Sequence, residues 1–355
     1  MLKKFRTNID KIDKKLLDLL NQRANIAKQV ADYKKSSNNK TIFRPDRESQ
    51  IIKSLRALNK GPLNADHIHN IYREIISSCL SLETNLNVSF LGPIGTYSEI
   101  AMTKFFGSSI QKNSKNNIHE VFDSVKNKTC DYGVVPVENS NQGSIKSTLD
   151  FLIKYKVNIC GEQNIPIKHC LMSQSSSVSG IKKIYAHNQT LSQCSSWLSK
   201  NYPNAEYIAS DSNAQAALIA KKYKHSSCIA NELCSDLYKL KIIARNIHDA
   251  HNNTTRFLII GNTEVSKSKN DKTTFIMSLQ NKAGALAKAL DVLANYKISM
   301  TKIESIPTKE KNWEYLFLID ISGHISEKRV YSALTKIKSF SRFFQHLGSY
   351  PKSID

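Results

Sequence analysis

Arg23 stands where an apolar residue belongs. Leu2, Ile9, Leu16, Arg23 and Val30 recur every seven residues, and so do Phe5, Ile12, Leu19, Ile26 and Tyr33. A helix with that a/d pattern buries its seam. A guanidinium in the seam costs several kcal/mol unless an anion meets it, either a carboxylate from a partner helix or a small ligand. Arg6 and Lys34 share heptad position e but lie 28 residues apart, about 42 Å along a straight helix. They cannot grip one small ligand from the same helix. Arg23 and Lys34 are 11 residues apart, about 16 Å, and long side chains leaning together bracket one. Arg6 joins them only from a second, antiparallel copy, which predicts an intertwined homodimer with two composite sites. Arg47 and Glu48 come from a second helix and Glu83 ends a third. Three arginines, a lysine and two carboxyl groups make a cage for a small dicarboxylate, because guanidiniums clamp carboxylates bidentately. The cage has no nucleophile or metal cluster, so its chemistry is conformational and electrostatic. The plain alternative is a helical dimerisation arm whose charges are solvated.

A second constellation lies downstream. Phe90-Leu-Gly-Pro-Ile-Gly-Thr-Tyr-Ser-Glu99 reads as a strand, a Gly-Pro-x-Gly turn and a helix start, with backbone N–H groups and the Thr96 and Ser98 hydroxyls converging as an anion site. It is neither a dinucleotide fingerprint nor a P-loop. Tyr132-Gly-Val-Val-Pro-Val-Glu-Asn-Ser140 is an apolar strand that ends in Glu138, Asn139 and Ser140, and α/β sites form at such strand ends. Thr254-Thr-Arg-Phe257 opens another strand with two hydroxyls and a rare arginine. A hydroxyl bonded to backbone is the plain alternative for Thr255. His169, His187 and His251 are possible acids, and none is named catalytic.

Three segments position these groups. Residues 1–86 read as helices: one to about Lys35, one from Pro45 to about Asn59, and one from Asn64 to about Glu83. From Val88 strand-like runs recur at 132–137, 157–159, 184–186, 228–230 and 256–260 with helical stretches between, an α/β pattern. After a polar linker at 263–272, the order strand, helix, strand, strand, helix, strand (Thr274 to Leu347) is ferredoxin-like and suits a regulatory module.

Composition narrows the classes. The chain has 355 residues, enough for two or three domains. No apolar run approaches the ~18 residues of a membrane span, and the start has no signal-peptide core. Seven scattered cysteines without a Cys-x-x-Cys pair read as reduced thiols and a cytoplasmic location. The net charge of +21 is nearly all lysine spread along the chain; there are only ten arginines, six of them before residue 74. That pattern argues against nucleic acid and marks each arginine as a position that needs a planar fork.

The helical segment resembles the chorismate mutase domain of the bifunctional chorismate mutase–prephenate dehydratase family. The pattern is Arg6, then Ile12-Asp-x-x-Leu-Leu-x-Leu-Leu-x-x-Arg23, Ala31-Asp-Tyr-Lys34, Arg47-Glu48 and Ile75-Ile-Ser-Ser-Cys79 through Glu83. The resemblance implies that Arg23 and the partner copy's Arg6 hold the two carboxylates. Arg47 and Glu48 fix the ring side, with Glu48 on the ring hydroxyl. Cys79 lines the site, and Lys34 and Glu83 bond the ether oxygen. Two departures stand out: Arg44 where some members have aspartate, and Glu83 where some have glutamine. A carboxylate cannot donate to an ether oxygen, so Glu83 has to act protonated and the mutase rate should fall as pH rises from about 5 to 8. The three downstream motifs together resemble prephenate dehydratase, which implies a two-lobed, periplasmic-binding-protein-like α/β fold over 88–262. It also implies a substrate site from Thr96, Ser98, Glu138, Asn139, Ser140, Gln193, Thr255 and Arg256. Thr255 assists hydroxide departure and Arg256 holds a carboxylate. The tail, 273–355, looks like an ACT domain, with Gly284-Ala-Leu-Ala287 and Glu304-Ser-Ile-Pro307 near the family's motifs. Gly284, Ala285, Leu286, Glu304 and Ser305 are the implied phenylalanine contacts. Ala287 and Ile306 depart from the family pattern, so weakened feedback is expected. The expectation is therefore a multidomain enzyme (all-α, two-lobed α/β, ferredoxin-like α+β) that turns chorismate into phenylpyruvate without cofactor or metal. A non-catalytic ACT-containing sensor and an arogenate-using dehydratase remain alternatives.

Overall fold

A computed structural model of the chain describes residues 1–36, 43–175, 180–250, 252–307 and 315–353. His251, the polar break after Ser36 and the expected strand start at Trp313 lie outside them.

The first unit is helical: α1 (Leu2–Ser36), α2 (Pro45–Leu58) and α3 (Ala65–Ser81). Pro45 sits at the first helical turn of α2, where its missing N–H costs nothing. Asn64 and His67 form a capping box that starts α3. Among the described residues, helix α1 is shielded by its own chain along a stripe at Arg23, Ala24, Ala27, Ala31 and Lys34. Its heptad seam stays bare, with Ile9, Ile12, Leu16, Leu19 and Ile26 all more than half exposed.

The chain then alternates through β1 (Asn87–Leu91), α4 (Tyr97–Phe106), β2 (Gln111–Lys115), α5 (Ile118–Lys126), β3 (Tyr132–Asn139), β4 (Gly143–Ser144), α6 (Lys146–Lys154) and β5 (Asn158–Pro166). It crosses to a second lobe for β6 (Cys170–Ser173), β7 (Lys183–His187), α7 (Asn188–Gln193), α8 (Ser195–Asn201), β8 (Glu206–Ser210), α9 (Asn213–Lys222), β9 (Ser226–Ala230), α10 (Leu233–Tyr238) and β10 (Lys241–Ala244). It returns as β11 (Thr254–Gly261). The first sheet runs β2-β1-β3-β11-β5, with β4 beside β3, and the second runs β10-β6-β9-β7-β8. Because β11 comes home between β3 and β5, the Thr255 motif lies beside Asn139, its register partner. Strand β2 carries no apolar signal because it is an edge with polar, mostly exposed side chains, and β8 is an edge whose short Tyr207-Ile208-Ala209 run is mostly exposed.

The tail contains β12 (Asp271–Ser278), α11 (Ala285–Asn295), β13 (Met300–Pro307), β14 (Tyr315–Ser322), α12 (Lys328–Phe340) and β15 (Phe343–Pro351), with sheet order β13-β14-β12-β15. Both of its faces are covered except along the outer side of β13. Phe275, Met277 and Ile319 pack under the helices with Val330 and Leu334. Ile276, Ile306 and Leu318 alternate to the other face and share one core with Val135, Val137 and Leu149 of the first lobe. Gly348, at φ 152°, crosses β5 so closely that a Cβ would run into the backbone of Ile159. The expected linker is largely structured: the buried Asp271 carboxylate accepts from Ser268 N, Ser268 Oγ and Lys269 N.

The helical unit docks on the first lobe through Phe43, whose ring meets Phe105, Phe106 and Tyr132 at centroid distances of 5.0–6.0 Å. Ser77 Oγ also accepts from Ser109 N at 3.1 Å. Among the described residues no helix is long and apolar enough to cross a membrane. All seven cysteines are free and buried.

Candidate active sites

Two polar basins coincide with the two constellations. The first is a cavity of about 820 Å³ between α1, α2, α3 and the 268–270 segment, lined by Arg23, Arg47, Lys53, Tyr72 and Lys269 among others. Among the described residues it holds four cations, and no carboxylate lines it. Arg23 Nη1 donates to the Ile75 carbonyl at 3.5 Å, which leaves most of its fork for a ligand. The Lys53 ammonium is out of solvent with no hydrogen-bond partner among the described residues, and its pKa is lowered by burial. Beyond the cavity, toward the C-terminal end of α1, Lys34 Nζ and Glu83 Oε2 pair at 3.4 Å, both largely buried. The two groups implied for the ether oxygen therefore face each other. Cys79 is buried on α3.

Three residues stand elsewhere. Arg6 is exposed on the first turns of α1 and shares no cavity with Arg23 in its own chain. Glu48 does not line the Arg23–Arg47 cavity, because α2 turns residues 47, 50, 51 and 54 one way and residues 48, 49 and 52 the other. It is buried against Arg73, and burial pushes its carboxyl up to about 7 against the pull of Arg73 and Arg23. Arg44 is turned out on Asp46.

The second basin is a cleft of about 330 Å³ between the two lobes, lined by residues that include Tyr97, Asn139, Ser144, His169, His187, Gln193, Asn213 and Thr255. Thr255 Oγ1 accepts from Asn139 Nδ2 at 2.9 Å. The same amide donates to Asn253 Oδ1 at 2.8 Å, so its orientation is fixed. With its oxygen already accepting, the Thr255 hydroxyl keeps its proton for an acceptor in the cleft. Across the cleft His169 Nε2 meets Gln193 Oε1 at 2.9 Å. Burial holds the His169 imidazole neutral, its pKa down to about 4. Among the described residues neither a lysine or arginine nor a carboxylate lines the cleft.

Asn139, Gln193 and Thr255 thus come together, and the other implied residues do different work. The Gly-Pro-x-Gly turn is not an anion cradle. Gly95 N donates to Glu99 Oε2 at 2.7 Å, Thr96 Oγ1 donates to the Leu91 carbonyl at 3.0 Å, and Ser98 is buried. The turn ties the lobes together instead. Gly95, at φ 92°, packs on Cys234, and its carbonyl accepts from Asn231 Nδ2 at 2.6 Å. Of that motif, Tyr97 reaches the cleft. Ser140 Oγ donates to the Asn252 carbonyl at 2.9 Å and stitches β3 to the approach of β11. Strand alternation turns Arg256 away from Thr255. Arg256 Nε donates to Glu162 at 2.8 Å, Nη1 to Asp320 at 2.6 Å and Nη2 to Tyr350 Oη at 3.0 Å. Glu138 also faces the tail, on Lys302 at 2.8 Å. In the tail, Gly284, Ala285 and Leu286 open α11 at a partly exposed edge and Ser305 is exposed. Glu304 is committed to Ser144, and Ile306 lies in the shared core.

The sequence reading missed Ser144, Asn213, Lys53 and the 268–270 segment, which carry no motif. His169 and His187 were in view but set aside.

The family model for prephenate dehydratase matches residues 88–265, that for chorismate mutase type II residues 5–84, and that for the ACT domain residues 273–339. A bifunctional chorismate mutase/prephenate dehydratase of Aquifex aeolicus is 42% identical over 99% of this chain and 98% of its own. One of Stutzerimonas stutzeri is 41% identical over the same shares. A crystal structure of prephenate dehydratase from Arthrobacter aurescens in complex with L-Phe is 30% identical with a TM-score of 0.68, covering 74% of this chain and 89% of that one.

Proposed function

The chain belongs to the bifunctional chorismate mutase/prephenate dehydratase family, and from that premise we propose how its two basins divide the work. The cation-lined cavity takes chorismate. Arg23 and Arg47, with Arg6 from a second copy, hold the two carboxylates in the diaxial conformer. Lys34 and Glu83 separate to take the ether oxygen as charge develops there. Glu83→Gln, whose amide can donate to the ether oxygen, is expected to keep mutase activity on chorismate while Glu83→Ala loses it; equal losses in the two variants overturn that role. Cys79 packs beneath the ring, and Glu48 reaches a ring hydroxyl only if it leaves Arg73.

The cleft takes prephenate. Its ring hydroxyl leaves as water while its carboxylate leaves as carbon dioxide, and aromatisation drives both. The protein has to orient the ring and offer a proton at the departing oxygen. Thr255, aimed by Asn139, supplies that hydrogen bond; His169 and Gln193 fix the opposite wall. A lining without lysine or arginine suits decarboxylation, since a cation on the departing carboxylate stabilises the ground state that has to be left. The observation that carries this reading is the Asn139–Thr255 pair inside the interlobe cleft.

The intertwined homodimer is supported by the bare heptad seam of α1. Phenylalanine is the proposed effector, taken at the tail edge by Gly284, Ala285, Leu286 and Ser305, with weakened inhibition. The deciding experiment feeds chorismate to the purified chain and follows prephenate and phenylpyruvate together. Transient prephenate followed by phenylpyruvate is expected; prephenate that accumulates without phenylpyruvate sinks the cleft assignment.

A further inference from the structure

We propose that Lys302 and Glu304 of the tail are positioning residues of the dehydratase, which grip the β3–β4 hairpin so that Asn139 presents the Thr255 hydroxyl to substrate. This rests on the dehydratase reading of the interlobe cleft.

Residues 142–145 make one wall of that cleft. Ser144, within it, has its proton already committed. Its Oγ donates to Glu304 Oε2 at 2.9 Å and accepts from Lys302 Nζ at 2.9 Å. The same Lys302 ammonium donates to Glu138 Oε2 at 2.8 Å. Glu138 and Ser144 are register partners across the hairpin, so one tail strand holds both arms. The next rung pairs Asn139 with Gly143, and Asn139 Nδ2 donates to Thr255 Oγ1. From the Lys302 ammonium to the Thr255 hydroxyl the contacts run without a gap. The Lys302 side chain is 10% exposed, so water screens its two bonds little.

Alternation along β13 explains why this strand can do it. Lys302, Glu304 and Ile306 face the first lobe, while Thr301, Ile303 and Ser305 face outward. A hydroxyl that has to hydrogen-bond a departing oxygen works only within a narrow distance, and a misplacement of about 1 Å costs ~100-fold in rate. Release of the hairpin moves Asn139 first and the proton of Thr255 with it.

The test uses the full-length chain as Lys302→Met, Glu304→Ala and Glu304→Gln, alone and with Ser144→Ala. It reads kcat and KM on prephenate, and mutase activity on the same samples. Lys302→Met and Glu304→Ala are expected to lower dehydratase kcat about tenfold, with KM and mutase activity nearly unchanged. Glu304→Gln, whose Oε1 still accepts from Ser144, is expected to stay near wild type. Glu304→Ala added to Ser144→Ala should cost nothing further, because its grip passes through Ser144, whereas Lys302→Met, which also releases Glu138, should cost less there than on the wild-type chain. The proposal is overturned if kcat is untouched in both single variants, or if the Lys302 and Ser144 losses multiply. If Lys302→Met does not fold, Glu304→Ala against Glu304→Gln decides alone, and equal kcat overturns it. Thr255→Ala keeps the two failures apart: full activity there removes the reading of the cleft itself.

Discussion

Single residues in this chain are tuned by burial more than by neighbours of opposite charge. His169 and His69 both have pKa values lowered to about 4, chiefly by burial. Between there and the ordinary value near 6.5 the unfolded chain takes up protons that the folded chain refuses. Their contribution is complete above about pH 6.5 and is lost as pH falls toward 4. Glu48, pushed up to about 7 by burial, acts the other way between about 4.5 and 7. Two histidines outweigh one carboxyl, so thermal stability is expected to fall from pH 6.5 to 4.5 in calorimetry, with a shallower slope for His169→Gln. Arg256 is the other residue-scale test. Its guanidinium joins Glu162, Asp320 and Tyr350 between lobe and tail. Arg256→Met should cost about 3–5 kcal/mol in denaturant unfolding, since it strands buried carboxylates. A rise in KM with unchanged stability would instead make Arg256 a substrate ligand.

At the scale of elements, α1 is the least satisfied. Its apolar seam is exposed along more than 20 residues while its other stripe lies on its own chain. Subunit complementation tests the antiparallel pairing. Arg6→Ala and Arg23→Ala chains are each expected to be mutase-dead. When unfolded and refolded together, half of the dimers should be mixed with one intact site each, which returns about a quarter of wild-type activity by mass action. No recovery would place Arg6 outside the site. The heptads made this helix legible, as apolar runs did for β3 and β11 and the βαββαβ order did for the tail. Strand β2 was not legible, because an edge strand needs no apolar face, and β8 offered only the three-residue run Tyr207-Ile208-Ala209. Period-2 alternation accounts for the misreading of Arg256. Thr-Arg reads as one motif, yet a strand sends its two side chains to opposite faces, and only Thr255 enters the cleft. The same rule took Glu138 from Asn139. In the helical unit, Arg47-Glu48 was parted by the 100° step of a helix.

At the scale of the molecule, the three segments do not behave as beads on a string. The tail sheet shares its core with the first lobe, and Gly348 lets the two backbones touch. Gly348→Val is expected to destabilise the whole chain by at least about 1–3 kcal/mol, read as one cooperative transition that moves for tail and lobe together. A tail that melted alone would show the shared core to be dispensable. Among the described residues the two basins also differ in kind: one is lined by four cations, the other by neither a lysine or arginine nor a carboxylate. Prephenate bears the same two negative charges as chorismate, so the field that draws one in also slows the other's departure. Handover between the sites is then an escape from an electrostatic well rather than a capture by the second site. Ionic strength becomes its throttle: added salt shortens the residence of the intermediate while it weakens the first encounter.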